Sequence, residues 1–213
     1  MNRAEQLLQS NNNYNDAQHL VDVEGMSTPR VCNFLNQLVA SMDEDETYLE
    51  IGTWKGLTLC SAAYGNAGKK LVACDKFRFY GHHTGWGFKA KRALHDNLAR
   101  YAPESAEVTF HNMPSEKLFR DKLVPSNVGV YFYDGDHTYL GTRNHIEWAE
   151  NLLADECILL VDDYNDPEIR RATEDAIDTM NFKATWSKYL PGENGKQDGW
   201  WNGLGVFALK RSS

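Results

Sequence analysis

From residue 28 onward the apolar positions alternate between two periods. Thr28-Pro29 opens the first with an N-cap and a proline at the first helical position, and Val31, Phe34, Leu35, Leu38 and Val39 then recur at the spacing of one buried helical face. Short apolar runs near 47–52, 70–75, 107–110, 128–134 and 157–162 have the length of buried strands, and helical patterns over 88–101, 141–154 and 166–180 lie between them. The last helix opens on Asp166-Pro167 and carries Ile169, Thr173, Ala176, Ile177 and Met180 on one side. Alternating strands and helices call for a parallel sheet covered on both faces. The rhythm then changes, because runs 182–190 and 203–210 are joined by Pro191 to Asn202 with no helix between, which demands an antiparallel pair. The pattern therefore predicts an α/β fold: a doubly wound, mostly parallel seven-stranded sheet ending in an antiparallel hairpin. Residues 1–27, polar and broken by Asn11-Asn12-Asn13, read as an N-terminal arm, with residues 28–213 as a single domain.

Composition narrows the partners. A formal charge of −8 over 213 residues argues against nucleic acid, whose phosphates are bound by clustered Lys and Arg. The basic run Lys89-Ala90-Lys91-Arg92 reads as a solvated helix face. Cys32, Cys60, Cys74 and Cys157 are scattered without a C-x-x-C pair, as expected of reduced buried thiols in a cytoplasmic protein. The N-terminus lacks the apolar core of a signal peptide, and no apolar run approaches the ~20 residues of a membrane span. The expectation is a cytoplasmic protein with no membrane or nucleic-acid partner; the sequence leaves room for a homo-oligomer.

The most informative stretch is Tyr48-Leu-Glu-Ile-Gly-Thr-Trp-Lys-Gly56, an apolar strand ending in Glu50, Gly52 and Gly56 just before a helical pattern. Such a turn lets backbone approach a ligand without a Cβ in the way, with the N–H groups of the following helix facing the crevice. Trp54 stands where a dinucleotide fingerprint would have its middle glycine, which weighs against a pyrophosphate on this loop. The next strand ends in Asp75, an acid placed either to accept bonds from two ribose hydroxyls or to cap a turn. The fourth strand ends in Asp134-Gly135-Asp136-His137 and the fifth in Asp162-Asp163-Tyr164. If these strands are neighbours, about 4.8 Å apart, then Asp134, Asp162 and Asp163 converge on one rim. Such repulsion calls for protonation or a hard cation such as Mg²⁺, unless the acids are spent capping helices. Two aromatic segments, Phe77, Phe79, Tyr80, Trp86 and Phe88 with His82-His83, and Trp200-Trp201, suit lids over a ligand, core packing or a dimer interface.

The E-x-G-x-x-x-G turn, together with a doubly wound sheet closed by a hairpin, resembles class I S-adenosylmethionine-dependent methyltransferases over roughly residues 28–210. That resemblance implies S-adenosylmethionine held by Glu50, Gly52, Thr53, Trp54, Gly56, Asp75, Ser115 and Asp134, with Asp75 on the ribose and the loop His111 to Ser115 bordering adenine. The D-x-x-H and D-D-Y strings are similar to the metal-dependent branch that methylates sugar hydroxyls, which implies Asp134, Asp162 and Asp163 as Mg²⁺ ligands and His137 as general base. A small hydroxylated acceptor such as a sugar follows as the expected substrate. A metal-dependent nucleotide-sugar glycosyltransferase, using Asp134-Gly135-Asp136 as a D-x-D string, is one alternative. A non-catalytic binding protein on the same fold is the other.

Overall fold

The computed structural model describes residues 1–77, 84–103, 106–193 and 199–212, leaving aside the side chains of Asn13 and residues 84–86. Seven strands, β1 (Thr47–Ile51), β2 (Lys70–Asp75), β3 (Glu107–Asn112), β4 (Val128–Tyr133), β5 (Leu153–Val161), β6 (Phe182–Leu190) and β7 (Leu204–Arg211), form one sheet in the order β3-β2-β1-β4-β5-β7-β6. β7 runs antiparallel to both β5 and β6, while β1 to β5 pair in parallel. The helices are α1 (Arg3–Ser10), α2 (Pro29–Ala40), α3 (Leu57–Ala63), α4 (Thr84–Tyr101), α5 (Ser115–Arg120), α6 (Tyr139–Ala149) and α7 (Pro167–Thr179).

Strand alternation divides the apolar residues between two layers. Tyr48, Leu71, Val130, Phe132 and Leu160 pack with Phe34, Leu35 and Leu38 of α2 on one face. Leu49, Val72, Tyr131, Tyr133 and Leu159 pack with Ile146 of α6 and Ile169 and Ile177 of α7 on the other. Because both faces are covered, β1 and β4 are buried along their whole length. α2 begins where the sequence places it, with the Thr28 hydroxyl accepting from Val31 N at 3.4 Å.

Two boundaries differ from the sequence pattern. α6 stops at Ala149, and β5 starts at Leu153, four residues before the expected run. Leu152 and Leu153 prolong the helical period beyond Ile146 and Ala149, but Leu153 pairs with Val128 and enters the sheet. The first 27 residues pack closely on the body. Ala4, Leu8 and Tyr14 join the core beneath α2, and the Arg3 guanidinium bonds to Glu46 at 2.6 and 2.8 Å and to Gly129 O at 2.8 Å. Trp200 is buried edge-on against Tyr14 and Phe34, so it is a core residue and no lid. Among the described residues, no helix is long and apolar enough to cross a membrane.

Candidate active site

β1 lies between β2 and β4, so connections leave its two sides in opposite directions and a crevice opens at the carboxyl ends of these strands. A cleft of about 480 Å³ occupies this place. Gly52, Thr53, Trp54, Asp75, Ser115, Asp134 and His137 all line it, whereas Glu50, Gly56, Asp162 and Asp163 are not among its lining residues.

The glycine turn is built by close backbone approach. Gly52 has φ +90° and donates to Cys74 O at 2.9 Å, and a Cβ there would collide with Asp134 O. Gly56, at φ +87°, starts α3 against the Leu94 side chain. Asp75 organises the loop between them. Its Oδ2 accepts from Thr53 N at 3.0 Å and Trp54 N at 2.8 Å, and its Oδ1 accepts from Phe77 N at 2.6 Å. A carboxylate has about four acceptor sites, so these three bonds leave capacity for a hydroxyl from the cleft. Turn-capping and ligand-holding are therefore compatible in one side chain.

Glu50 faces inward. The Tyr48 hydroxyl donates to it at 2.6 Å and the Thr58 hydroxyl at 2.8 Å, tying the end of β1 to the start of α3. Burial pushes its carboxyl up to about 8 against these two bonds, so it is largely protonated at neutral pH. It supports the turn from behind, with no face on the cleft.

The β4 and β5 ends carry charge. His137 Nδ1 lies 2.7 Å from Asp163 Oδ2, and its Nε2 lies 3.8 Å from Asp134 Oδ1. Asp163 Oδ1 also accepts from Asn202 at 2.7 Å. The hydrogen bond to Asp163, opposed by burial and aided by the charge of Asp134, pushes His137 up to about 9. For Asp163, burial acts to raise the carboxyl, but the bonds and charge of His137 outweigh it and hold it below its ordinary value. Burial and the nearby Asp163 and Asp75 push Asp134 up to about 7 against the pull of His137. Its side chain keeps 28% exposure, so water in the cleft tempers that rise. Asp162 is 5% exposed, its Oδ1 is buried with no hydrogen-bond partner, and burial first, then Asp134 and Asp163, drive its carboxyl well upward.

The three acids do not form the metal cage expected from the strand ends: among the described residues no group of three His, Cys, Asp or Glu side chains is placed to hold an ion. The physical reason is that Asp163, at φ +54°, turns both oxygens to His137 and Asn202. The donor chemistry still suits a hard cation, since all three are carboxylates and Asp162 Oδ1 lacks any partner.

Three features escape sequence reasoning. Asn202 reaches Asp163 across 39 positions, a proximity only the β5–β7 pairing creates. Gly25, Met26 and Ser27 of the N-terminal arm line the cleft, beside a Lys55–Glu24 ion pair of 2.7 Å. His145 on α6 also lines it, with Ser115 as partner. Of the aromatic lid residues, Phe77 packs on Phe110 with centroids 5.7 Å apart, and Phe88 is exposed. Phe79, Tyr80, His82, His83 and the Trp86 side chain lie outside the described residues.

The profile of the methyltransferase-domain family matches residues 49–164, from the middle of β1 through the Asp-Asp-Tyr string. The chain belongs to this family. It is a class I, S-adenosylmethionine-dependent methyltransferase in fold and enzyme class. No curated protein matches it in sequence. In architecture this methyltransferase is similar to cofactor-bound Rv0187 from MTB, at 19% identity and TM-score 0.62, over 100% of this chain and 92% of that one. An O-methyltransferase from Bacillus cereus in complex with SAH is similar at 20% identity and TM-score 0.60, over 97% and 90%. A putative caffeoyl-CoA O-methyltransferase from Staphylococcus aureus is similar at 15% identity and TM-score 0.58, over 99% and 93%. At such identities the likeness is one of fold.

Proposed function

We propose that this methyltransferase moves a methyl group from S-adenosylmethionine to a hydroxyl of a small acceptor such as a sugar. The observation that carries the reading is His137, held by Asp163 at one ring nitrogen while the other faces the cleft beside Asp134. With Nδ1–H donated to the carboxylate, a neutral His137 has a bare Nε2 free to accept a proton. Gly52, Thr53, Trp54 and Asp75 would hold the cofactor, with Asp75 accepting from its ribose, and when bound it would supply an electrophilic sulfonium methyl. The acceptor hydroxyl loses its proton to His137 Nε2 as its oxygen bonds to the methyl carbon. The S–CH₃ bond breaks with its electron pair left on sulfur, giving S-adenosylhomocysteine.

The charge on His137 sets the pH dependence. A base of pKa about 9 is neutral in only about one molecule in a hundred at pH 7, so turnover should rise with pH and level off above about 9. Of the expected donors Asp134, Asp162 and Asp163, the last is engaged by His137 and Asn202, so Asp134 and Asp162 are the carboxylates that would hold Mg²⁺ or another hard divalent cation. When bound, such an ion eases deprotonation of a hydroxyl. Membership of the methyltransferase-domain family sets aside the glycosyltransferase alternative.

The test is transfer of labelled methyl from S-adenosylmethionine to a panel of sugars and other small hydroxylated compounds, with added Mg²⁺ and with excess chelator. O-methyl product from at least one acceptor is expected, with transfer lost in chelator. Methylation confined to nitrogen or carbon acceptors would remove the oxygen assignment. Full turnover in chelator would remove the ion.

A further inference from the structure

We infer that His145 is a positioning residue that commits the Ser115 hydroxyl proton to itself, so that Ser115 presents only acceptor lone pairs to the cleft and selects a base edge that donates a hydrogen bond. The inference rests on the reading above that the cleft holds S-adenosylmethionine, and concerns the end beyond Asp75.

His145 sits on the inner face of α6 and is 6% exposed. Its Nδ1 is 2.6 Å from Gly141 O and its Nε2 is 2.6 Å from Ser115 Oγ. A carbonyl can only accept, so Nδ1 carries the ring hydrogen in the neutral form; Nε2 is then an acceptor, and Ser115 must donate to it. Burial lowers the His145 pKa, so the neutral ring is the form present at physiological pH. Packing leaves the ring little freedom to abandon this arrangement. Tyr133 lies 5.3 Å from it, Trp148 4.9 Å and Phe119 6.2 Å, centroid to centroid, and the Tyr131 hydroxyl donates to His145 O at 3.3 Å.

A serine hydroxyl ordinarily rotates to suit its ligand, donating or accepting. Here the single proton is already spent. Met113, Cys74 and Ile51 line the same cleft as Ser115 and give it apolar surface for a flat heteroaromatic ring, with Lys76, Glu116, Asp136 and Thr138 among its polar lining. Within it, Ser115 Oγ can accept from an exocyclic amino group, but it meets a carbonyl at the same ring position lone pair to lone pair. The Ser115–His145 pair thereby becomes a filter for an aminopurine against its oxo counterpart, and the filtering polarity is set by a residue one shell behind the ligand.

The experiment is calorimetric titration with S-adenosylhomocysteine and with its deaminated 6-oxo analogue, S-inosylhomocysteine. Wild-type protein should prefer the amino form. In His145→Phe, whose ring still packs among Tyr133, Trp148 and Phe119, the Ser115 proton is released and can turn toward the 6-oxo group. The preference should then shrink about tenfold, the scale of one mismatched buried hydrogen bond, mainly because the 6-oxo ligand binds better. His145→Gln, whose side-chain carbonyl can still accept from Ser115, should retain the preference, and Ser115→Ala should lose it as His145→Phe does. A purely structural role for His145 would weaken both ligands by the same factor, and an unchanged preference in folded His145→Phe and Ser115→Ala would overturn the inference while leaving the cofactor site intact. Absence of S-adenosylhomocysteine binding to wild type would overturn both this inference and the functional reading beneath it.

Discussion

The two halves of the cleft accommodate partly or fully buried carboxylates in opposite ways. On the β1–β2 side, Asp75 receives three backbone N–H groups, which the glycine turn and the following loop direct at it. On the β4–β5 side, Asp134, Asp162 and Asp163 share one histidine and one asparagine, and Asp162 Oδ1 receives nothing. The first half is satisfied before any ligand arrives and can bind by offering its remaining acceptor capacity. The second is electrostatically loaded, with carboxyl groups raised and a histidine raised beside them, which is the state that proton transfer or ion binding requires. Preorganisation and reactivity are thus separated by a single strand, β1.

The contrast breaks most sharply at His137. Replacing it with Ala should lower turnover roughly 10²–10⁴-fold while S-adenosylhomocysteine affinity stays near wild type, as steady-state kinetics and calorimetry on the same preparation would show. The wild-type rise in rate toward pH 9 should vanish with it. Stability should follow the same group in the opposite direction. Because the folded pKa is raised, the His137–Asp163 pair stabilises the wild type fully below about pH 6.5 and loses that contribution as pH climbs through about 9, a loss the Ala variant lacks. Comparable turnover and an unchanged pH profile in the variant would move the base elsewhere.

Asp75→Ala attacks the satisfied half. Affinity for S-adenosylhomocysteine should fall by about 1.5–3 kcal/mol, through the lost charged acceptor and through three N–H groups left without their partner. An affinity equal to wild type would take Asp75 out of the cofactor site and leave it a loop cap.

The smallest effect sharpens the contrast from the side of stability. Asp162→Asn, in metal-free buffer, removes a carboxyl whose ionisation burial and the neighbouring Asp134 and Asp163 oppose, so unfolding free energies from urea titration should match wild type near pH 4 and exceed it by about 1–2 kcal/mol at pH 8. The sign follows from the raised carboxyl: its favourable contribution is present below the free value and lost as pH rises. Added Mg²⁺ should raise the wild-type midpoint at pH 8 and leave the variant where it is. A pH-independent difference would mean that Asp162 titrates in the folded protein as it does in the unfolded chain, with no raised carboxyl.

The same divide governs what the sequence could reveal. The turn from Glu50 to Gly56, Asp75 and the acids at the strand ends are local to their strands, so period and glycine spacing locate them. Several of their partners come from other elements. Asp163 is turned away from a metal geometry by Asn202 in the hairpin connection, and Glu50 is held inward by Thr58 from the next helix. His145 lies on a helix face with Ile146 and Ala149 buried beside it, and no motif distinguishes it from a packed core histidine. The sequence leaves Trp200 open between a lid, core packing and an interface, and Tyr14 and Phe34 supply the apolar contacts that decide for the core. The overrun of α6 has the same origin: Leu152 and Leu153 continue a helical period, and only their partners on β4 make Leu153 a strand residue.

β7 comes last among the strands yet lies between β5 and β6. During synthesis, β1 to β5 can pair as they emerge, but β6 has no edge to join until residues 204–211 follow it and insert. Asn202, two residues before that insertion, is the side chain that steadies Asp163 and, through it, His137. Assembly of the charged half of the cleft is therefore an ordered event in time: the glycine turn can form early, and the proposed proton acceptor, His137, is set only when the sheet closes.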